Sequence, residues 1–498
     1  MRGLSRLNTM DRTLALLLGG VMTLGFAPFD LKPLSLLALA GLFRLVSGQT
    51  WQRAAWLGAL FGFAHFATGI YWTFISTHIY GGAPAWLGLL LCFALYSYLS
   101  LYIATVLGVA TALKLWTRPL GWLGVPALWL LAELIRSHVA ILAFPWLALG
   151  EIALDTQYAR LAPLMGVHGI AAIMALIAYA LYRLISLQMR VGVVVVLALV
   201  FIVVPRLLPL PAQWTQPSGS PLKVAIVQGN IRQDEKWLPA MEEPTLRRYG
   251  EMTLRAADAD LILWPEVALT RPYHQLREGY LDPIAQQLAR KNSTLLAGLL
   301  VRGPDGGYFN SVIAMGVDEG RYDKRHLVPF GEYFPIPDWL RPLMDVLGTP
   351  YSDLLFGAAV QAPIMVKGQH IGVGICFEDV FADEYRRDAA DSGLMMVATN
   401  DAWFGHSGAA AQHLAMARLR AIEGGRVVLR ASNTGVSAII NADGQLQAQA
   451  GFFTTETLRG EAQPRTGITA YARWGDAPLW GLALLTLLVL AADGLRRR

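Results

Sequence analysis

GVGICFEDVF (372–381) begins as a glycine-rich apolar run and ends in a cysteine followed, one residue on, by two acids. A short apolar run that breaks into polar residues reads as a buried strand, so the spacing places Cys376 at a strand end. The chain has one other cysteine, Cys92, inside the apolar run LGLLLCFALYSYL (87–99), where it reads as lipid-embedded filler. A disulfide between the two is not expected.

Working outward from Cys376, runs of the same kind recur: LKVAIVQ (222–228), DLILWPE (260–266), STLLAGLL (293–300), SVIAMG (311–316), LMMVATN (394–400), VVLRAS (427–432) and VSAII (436–440). Between them lie helical patterns such as EEPTLRRYGEMTLRAA (242–257), LDPIAQQLARK (281–291) and AAQHLAMARLRAIEGG (410–425). Strands this apolar, separated by amphipathic helices, predict sheets buried on at least one face by helices.

The rest of the chain has a different character. Of its 498 residues 54% are hydrophobic and 15% charged, and the mean hydropathy is +0.42, values that belong to a membrane protein. A span needs roughly 20 mostly apolar residues, and such segments are expected near 12–28, 33–48, 54–77, 84–113, 120–142, 162–186, 190–209 and 477–495. PRLLPLPAQWTQPSGSP (205–221) ends the first series. The expected division is transmembrane helices 1 to 7 over 1–210, a linker over 211–221, a catalytic domain over 222–475, and an eighth helix with a basic tail over 476–498.

With the N-terminus inside, the cytoplasmic segments carry Arg2, Arg6, Arg12, Arg44, Arg53, Lys114, Arg118, Arg183, Arg190, Arg496, Arg497 and Arg498. The outer loops carry only Lys32, Arg136 and Arg160. The positive-inside rule therefore puts both termini in the cytoplasm and the 222–475 block outside the inner membrane. These arginines account for the net charge of +5, and no nucleic-acid partner is implied.

Two further strand ends stand beside the cysteine. LILWPE ends in Glu266, and RYDKRHLVPFGE (321–332) carries Lys324 and Glu332. Singly, each has an ordinary explanation: a helix cap, a charged loop, a small buried hydrophobe. Together, an acid, a lysine and a cysteine at successive strand ends resemble the nitrilase superfamily. With VQGNI (227–231), KW (236–237), YDKRHLVPFGEY (322–333), GICFED (374–379) and NDAWFG (400–405) inside a block flanked by membrane spans, the whole chain is similar to the membrane-bound apolipoprotein N-acyltransferase family of Gram-negative bacteria.

The resemblance implies an extracytoplasmic α/β nitrilase-like αββα sandwich joined to a polytopic membrane domain of about eight helices. It implies Glu266 as general base, Lys324 as electrostatic partner and Cys376 as nucleophile, with Glu332 and Glu378 in support. Phe377 stands where relatives often carry tyrosine, so a hydroxyl is missing there. The activity implied is transfer of a fatty acyl chain, through a Cys376 thioester, from a phospholipid, phosphatidylethanolamine by family resemblance, to the α-amine of an apolipoprotein's lipid-bearing N-terminal cysteine. The reaction requires no cofactor. No metal is expected either, since the sequence has neither paired-cysteine spacing nor HExxH.

The chemistry explains the residue types. A thiol is mostly protonated at neutral pH, so a carboxylate must take its proton while an ammonium favours the developing anion. The aromatic segment after Glu332, with Tyr333, Phe334, Trp339, Leu340 and Leu343, is too short to span and is expected to form an interfacial lid over the acyl chains. Trp237, Trp403 and Phe404 are candidate groove-lining aromatics. Two other readings remain at this point. One is a membrane-tethered amidase or nitrilase in which water resolves the intermediate, and the other is a non-enzymatic polytopic binding or transport protein.

Overall fold

A computed structural model describes residues 8–138, 143–187, 203–207, 211–334, 339 and 353–496. The chain divides into two compact units, one formed by 1–74, 85–209 and 474–498, the other by 75–84 and 210–473.

The first unit is helical: α1 (Thr9–Thr23), α2 (Lys32–Val46), α3 (Trp51–Gly69), α4 (Ala85–Ala112), α5 (Gly121–His138), α6 (Ala162–Ile185) and a closing helix (Ala477–Arg496). Three described helical stretches are long and apolar enough to cross a membrane, Ala85–Ala112, Gln157–Ile185 and Ala477–Gly494. A fourth arises if Trp51–Gly69 and Trp72–Tyr80, bent by 59°, form one span. Most of the expected 190–209 span lies outside the described residues.

Small residues bring α3 and α4 together. A Cβ on Gly62 would meet the Ser100 backbone at 2.9 Å, and one on Gly58 would meet Ala104 at 3.0 Å. Without a hydrophobic drive between helices in lipid, such close approach supplies the packing. Several buried polar groups in this unit pair with one another. Arg136, assigned to an outer loop by the sequence, is buried: it pairs with Glu133 and donates to the carbonyls of Phe144 (2.8 Å) and Trp146 (2.7 Å). His168 bonds Asp476 (3.0 Å) and Ser137 (3.0 Å), and His65 bonds Thr23 (3.1 Å).

The second unit holds two six-stranded sheets. Its strands are β1 (Leu222–Gln228), β2 (Leu261–Leu263), β3 (Thr294–Arg302), β4 (Tyr308–Gly316), β5 (Gly320–Asp323), β6 (Ile364–Val366), β7 (Gln369–Ile375), β8 (Leu394–Thr399), β9 (Val427–Ser432), β10 (Ala438–Ile440), β11 (Leu446–Gln449) and β12 (Glu456–Ala462). The first sheet runs β12-β1-β2-β3-β4-β5 and the second β11-β10-β9-β8-β7-β6. At the centre of each are three parallel strands, β1-β2-β3 and β7-β8-β9, extended by antiparallel neighbours.

The strand period of two sorts the side chains into layers. Leu222, Val224 and Ile226 of β1 join Ile371, Val373 and Ile375 of β7 and Leu394 and Met396 of β8 in one core between the sheets. The alternate residues face outward. Ala225, Val227 and Ile262 pack with Leu246 and Tyr249 of α7 (Pro239–Arg255) and Ile284 and Leu288 of α8 (Asp282–Arg290). Met395, Val397 and Val428 pack with Tyr385 and Ala389 of α9 (Ala382–Ala390) and Leu414 and Ala417 of α10 (Ala409–Gly424). The layers are helix, sheet, sheet, helix. Each fully buried aliphatic side chain in them is worth about 1.5–3 kcal/mol.

Candidate active site

The site lies where three strands stop. β2 ends at Leu263 and is followed by Trp264, Pro265 and Glu266; Lys324 follows β5; Cys376 follows β7. The turn carrying Glu266 presses on β3, with the Ala268 N–H donating to the Gly298 carbonyl at 2.8 Å. A Cβ on Gly298 would lie 2.2 Å from the Pro265 carbonyl oxygen, so only glycine admits this turn.

Lys324 is almost fully buried, and its Nζ donates to Glu266 Oε1 at 3.0 Å and to Glu332 Oε1 at 2.8 Å. Asn310, on β4, donates through Nδ2 to the same two oxygens at 2.8 and 3.0 Å. Burial pushes the lysine ammonium down, yet Glu266, Glu332 and Cys376 outweigh it and hold its pKa well above the ordinary value. Glu332 is fixed in turn by the Val328 N–H, which donates to its Oε2 at 2.8 Å.

Cys376 opens a tight turn, Cys376–Val380, and adopts φ +51°. That left-handed conformation is uncommon for a residue with a side chain and is held only by its surroundings. Burial and the Glu266 charge push the thiol pKa well above 9.0, against the pull of Lys324 and a hydrogen bond with Thr399. Burial and the carboxylate both favour the protonated thiol.

Glu378 anchors this turn. It accepts from the N–H groups of Ile375 (2.7 Å), Arg325 (2.8 Å) and His326 (3.1 Å) and from the Tyr322 hydroxyl (3.0 Å), tying the cysteine turn to the lysine strand end. Burial pushes its pKa up to about 7, opposed chiefly by Arg325. Glu378→Gln sets amide hydrogens against these donors. It is expected to lower unfolding stability in urea by about 1–3 kcal/mol, whereas an unshifted midpoint would show that the anchor is dispensable.

A second buried network supports the turn from behind. Asp379 and Asp401 are bridged by His413, at 2.6 and 2.8 Å, and by Arg430, at 3.3 and 2.8 Å. Burial and Arg430 push the imidazole down, and the two carboxylates override both, raising His413 to about 9. The raised folded pKa makes the stabilisation complete below the unfolded value, near 6.5, and lost as pH rises through about 9. The expected size is about 3 kcal/mol. Thermal unfolding followed across that window should show the loss in the native chain and not in His413→Gln.

The other sequence-predicted residues fall in different places. The Phe377 ring packs edge-on against Phe381, with centroids 5.1 Å apart, and against His326, which pairs with Glu384 at 3.1 Å. Tyr333 packs on Phe356 and Phe334 on Phe330. Trp237, Trp339 and Trp403 are exposed, Phe404 is half-buried, and the Trp403 carbonyl accepts from Ser76 at 2.9 Å. Leu340 and Leu343, with most of the expected lid, lie outside the described residues. The sequence reading missed Asn310, Tyr322, His413, Asp401 and Arg430. A signal existed for two of them: an asparagine in YFNSVIAMG and an arginine in VVLRAS are polar residues within otherwise apolar strands.

A carboxylate, an ammonium and a thiol stand at three strand ends of a four-layer αββα sandwich, a nitrilase-like fold. Residues 223–471 match the family model described as carbon-nitrogen hydrolase, and residues 18–180 that of the apolipoprotein N-acyltransferase N-terminal domain. Similar curated proteins include the apolipoprotein N-acyltransferase of Methylococcus capsulatus, 37% identical over 95% of this chain and 94% of that one. Another is that of Pseudomonas syringae pv. tomato, 38% identical over 98% and 97%. The chain belongs to the apolipoprotein N-acyltransferase family and is an acyltransferase enzyme. Among solved structures, a Helicobacter pylori carbon-nitrogen hydrolase covers 53% of this chain and 94% of its own, with 16% identity and a TM-score of 0.37.

Proposed function

We propose that this enzyme moves a fatty acyl chain from a phospholipid, phosphatidylethanolamine in the cell, to the α-amine of the diacylglyceryl-cysteine at an apolipoprotein's N-terminus. The observation that carries the reading is the Lys324 ammonium held between Glu266 and Glu332, beside a protonated cysteine in a left-handed turn.

In the first half-reaction Glu266 takes the Cys376 proton as sulfur bonds to the ester carbonyl carbon. An ammonium has three N–H donors, and two of those on Lys324 point at carboxylates. The third is left for the oxyanion. Collapse breaks the ester C–O bond, Glu266 returns the proton to the leaving oxygen, and a lysophospholipid departs. In the second half-reaction the acceptor amine attacks the thioester and gives its proton to Glu266. The C–S bond then breaks and the thiol is restored. Amide is more stable than thioester, so the second step draws the first forward.

The membrane arrangement belongs to the same proposal: eight spans in the bacterial inner membrane, both termini cytoplasmic, and the catalytic domain in the periplasm. In it, 1–210 carries spans 1 to 7, 211–221 is a linker, 222–475 is catalytic, and 476–498 holds span 8 and the basic tail. The arginine asymmetry between loops supports this arrangement. Trp237, Tyr333, Phe334, Trp339, Leu340, Leu343, Trp403 and Phe404 remain proposed contacts for the lipid chains.

The test is to incubate purified enzyme with an acyl-labelled phospholipid and a diacylglyceryl-cysteine peptide, and to separate amide from free fatty acid. Label in the amide is expected. Label released only as free acid, whether or not peptide is present, would make the protein a hydrolase.

A further inference from the structure

The chemistry above leaves one lysine of the site unused. Lys236 follows β1 and is 4% exposed. Its N–H closes a turn onto the Arg232 carbonyl at 2.9 Å, but among the described residues its ammonium has no hydrogen-bond partner. Its side chain feels the charge of Glu266 without pairing with it. Burial pushes its pKa down to about 8, Glu266 opposing, so the amine is mostly charged at neutral pH. A buried cation left without a partner is costly unless something completes it.

Side-chain hydrogen bonds fix the loop that carries Lys236. The Ile231 N–H donates to Asn433 Oδ1 at 2.9 Å, and Asn433 Nδ2 donates to the Ile231 carbonyl at 2.7 Å and to Asn400 Oδ1 at 3.1 Å. Asn400 Nδ2 donates to Gln233 Oε1 at 3.0 Å. Asn400 follows β8, which pairs in parallel with the strand that ends at Cys376, and Asn433 follows β9, the next parallel strand. The Lys236 turn is therefore clamped to the same rim of strand ends as the nucleophile.

Lys324 is committed to two carboxylates, whereas Lys236 has its charge to offer. The acceptor brings a cationic amine, which a second ammonium repels. The donor brings a phosphodiester, joined to the reacting ester through a glycerol unit, which it attracts. We propose that Lys236 binds the phosphodiester of the acyl-donor lipid while the donor's ester lies at Cys376. The inference rests on the phospholipid-donor reading above.

The experiment compares single-turnover acylation of full-length enzyme in detergent by a diacyl phospholipid and by p-nitrophenyl palmitate, which has no phosphate. In Lys236→Met the ratio of phospholipid to neutral-ester acylation efficiency should fall on the order of tenfold or more, and Lys236→Arg should keep most of it. The thermal midpoint of Lys236→Met should equal or exceed that of the native chain, since an unpaired buried charge is removed. An unchanged ratio, or a lowered midpoint with equal losses on both donors, overturns the assignment. Inorganic phosphate should not inhibit acylation by the neutral ester. Inhibition that disappears in Lys236→Met would make free phosphate the ligand and overturn the lipid assignment. Failure of both donors to acylate the native enzyme would instead remove the thioester reading itself.

Discussion

Cys376→Ala is expected to reduce acyl transfer on the order of 10³-fold or more, to the background that a site without its nucleophile supports. The loss should be total for adduct formation and nearly absent for folding. Cys376 is partly buried at the edge of the core between the sheets, so removing its sulfur leaves little cavity, and alanine at φ +51° carries the same backbone strain as cysteine. Circular dichroism and thermal unfolding close to those of the native chain, with transfer from labelled phospholipid abolished, is the expected pair of results. Transfer within tenfold of the native rate would place the acyl carrier elsewhere.

Lys324→Met should damage both chemistry and structure. Methionine fills a similar volume but leaves Glu266 and Glu332 facing each other across a buried site with only Asn310 between them. Breaking a buried ion pair from one side costs about 3–5 kcal/mol, and one of the two carboxylates should take up a proton in response. Loss of the oxyanion donor slows thioester formation by about 10²- to 10³-fold. Single-turnover acylation reads the second effect, and urea unfolding the first. A variant of native stability that acylates within threefold of the native rate would contradict both roles.

The two parts of this account were not equally legible in the sequence. The central strands announce themselves as apolar runs, so the sheets follow from local pattern, whereas the acid, lysine and cysteine at their ends are joined only by resemblance to the nitrilase superfamily. Asn310, Arg430 and His413 do not. Their partners lie 44, 51 and 34 positions away, and only the side-by-side pairing of strands within each sheet, with the helix packed on it, brings them together. Helix ends were less legible: α1 and α2 run 15 residues each, with ends that hydropathy does not mark. Hydropathy counts apolar residues continuously, whereas the backbone turns at Pro28 and restarts beside Pro33. Arg136 shows the same limit, since its position near a helix end suggested the surface, while Glu133 one turn earlier makes it an internal ion pair.

Intact-mass spectrometry of the purified enzyme after brief exposure to phospholipid, with no acceptor present, tests the central claim most directly. One added fatty-acyl mass is expected on the native chain, located at Cys376, removed by hydroxylamine and by a diacylglyceryl-cysteine peptide, and missing in Cys376→Ala. A native chain that turns over lipid and peptide yet never gains that mass, or gains it on another residue, contradicts it.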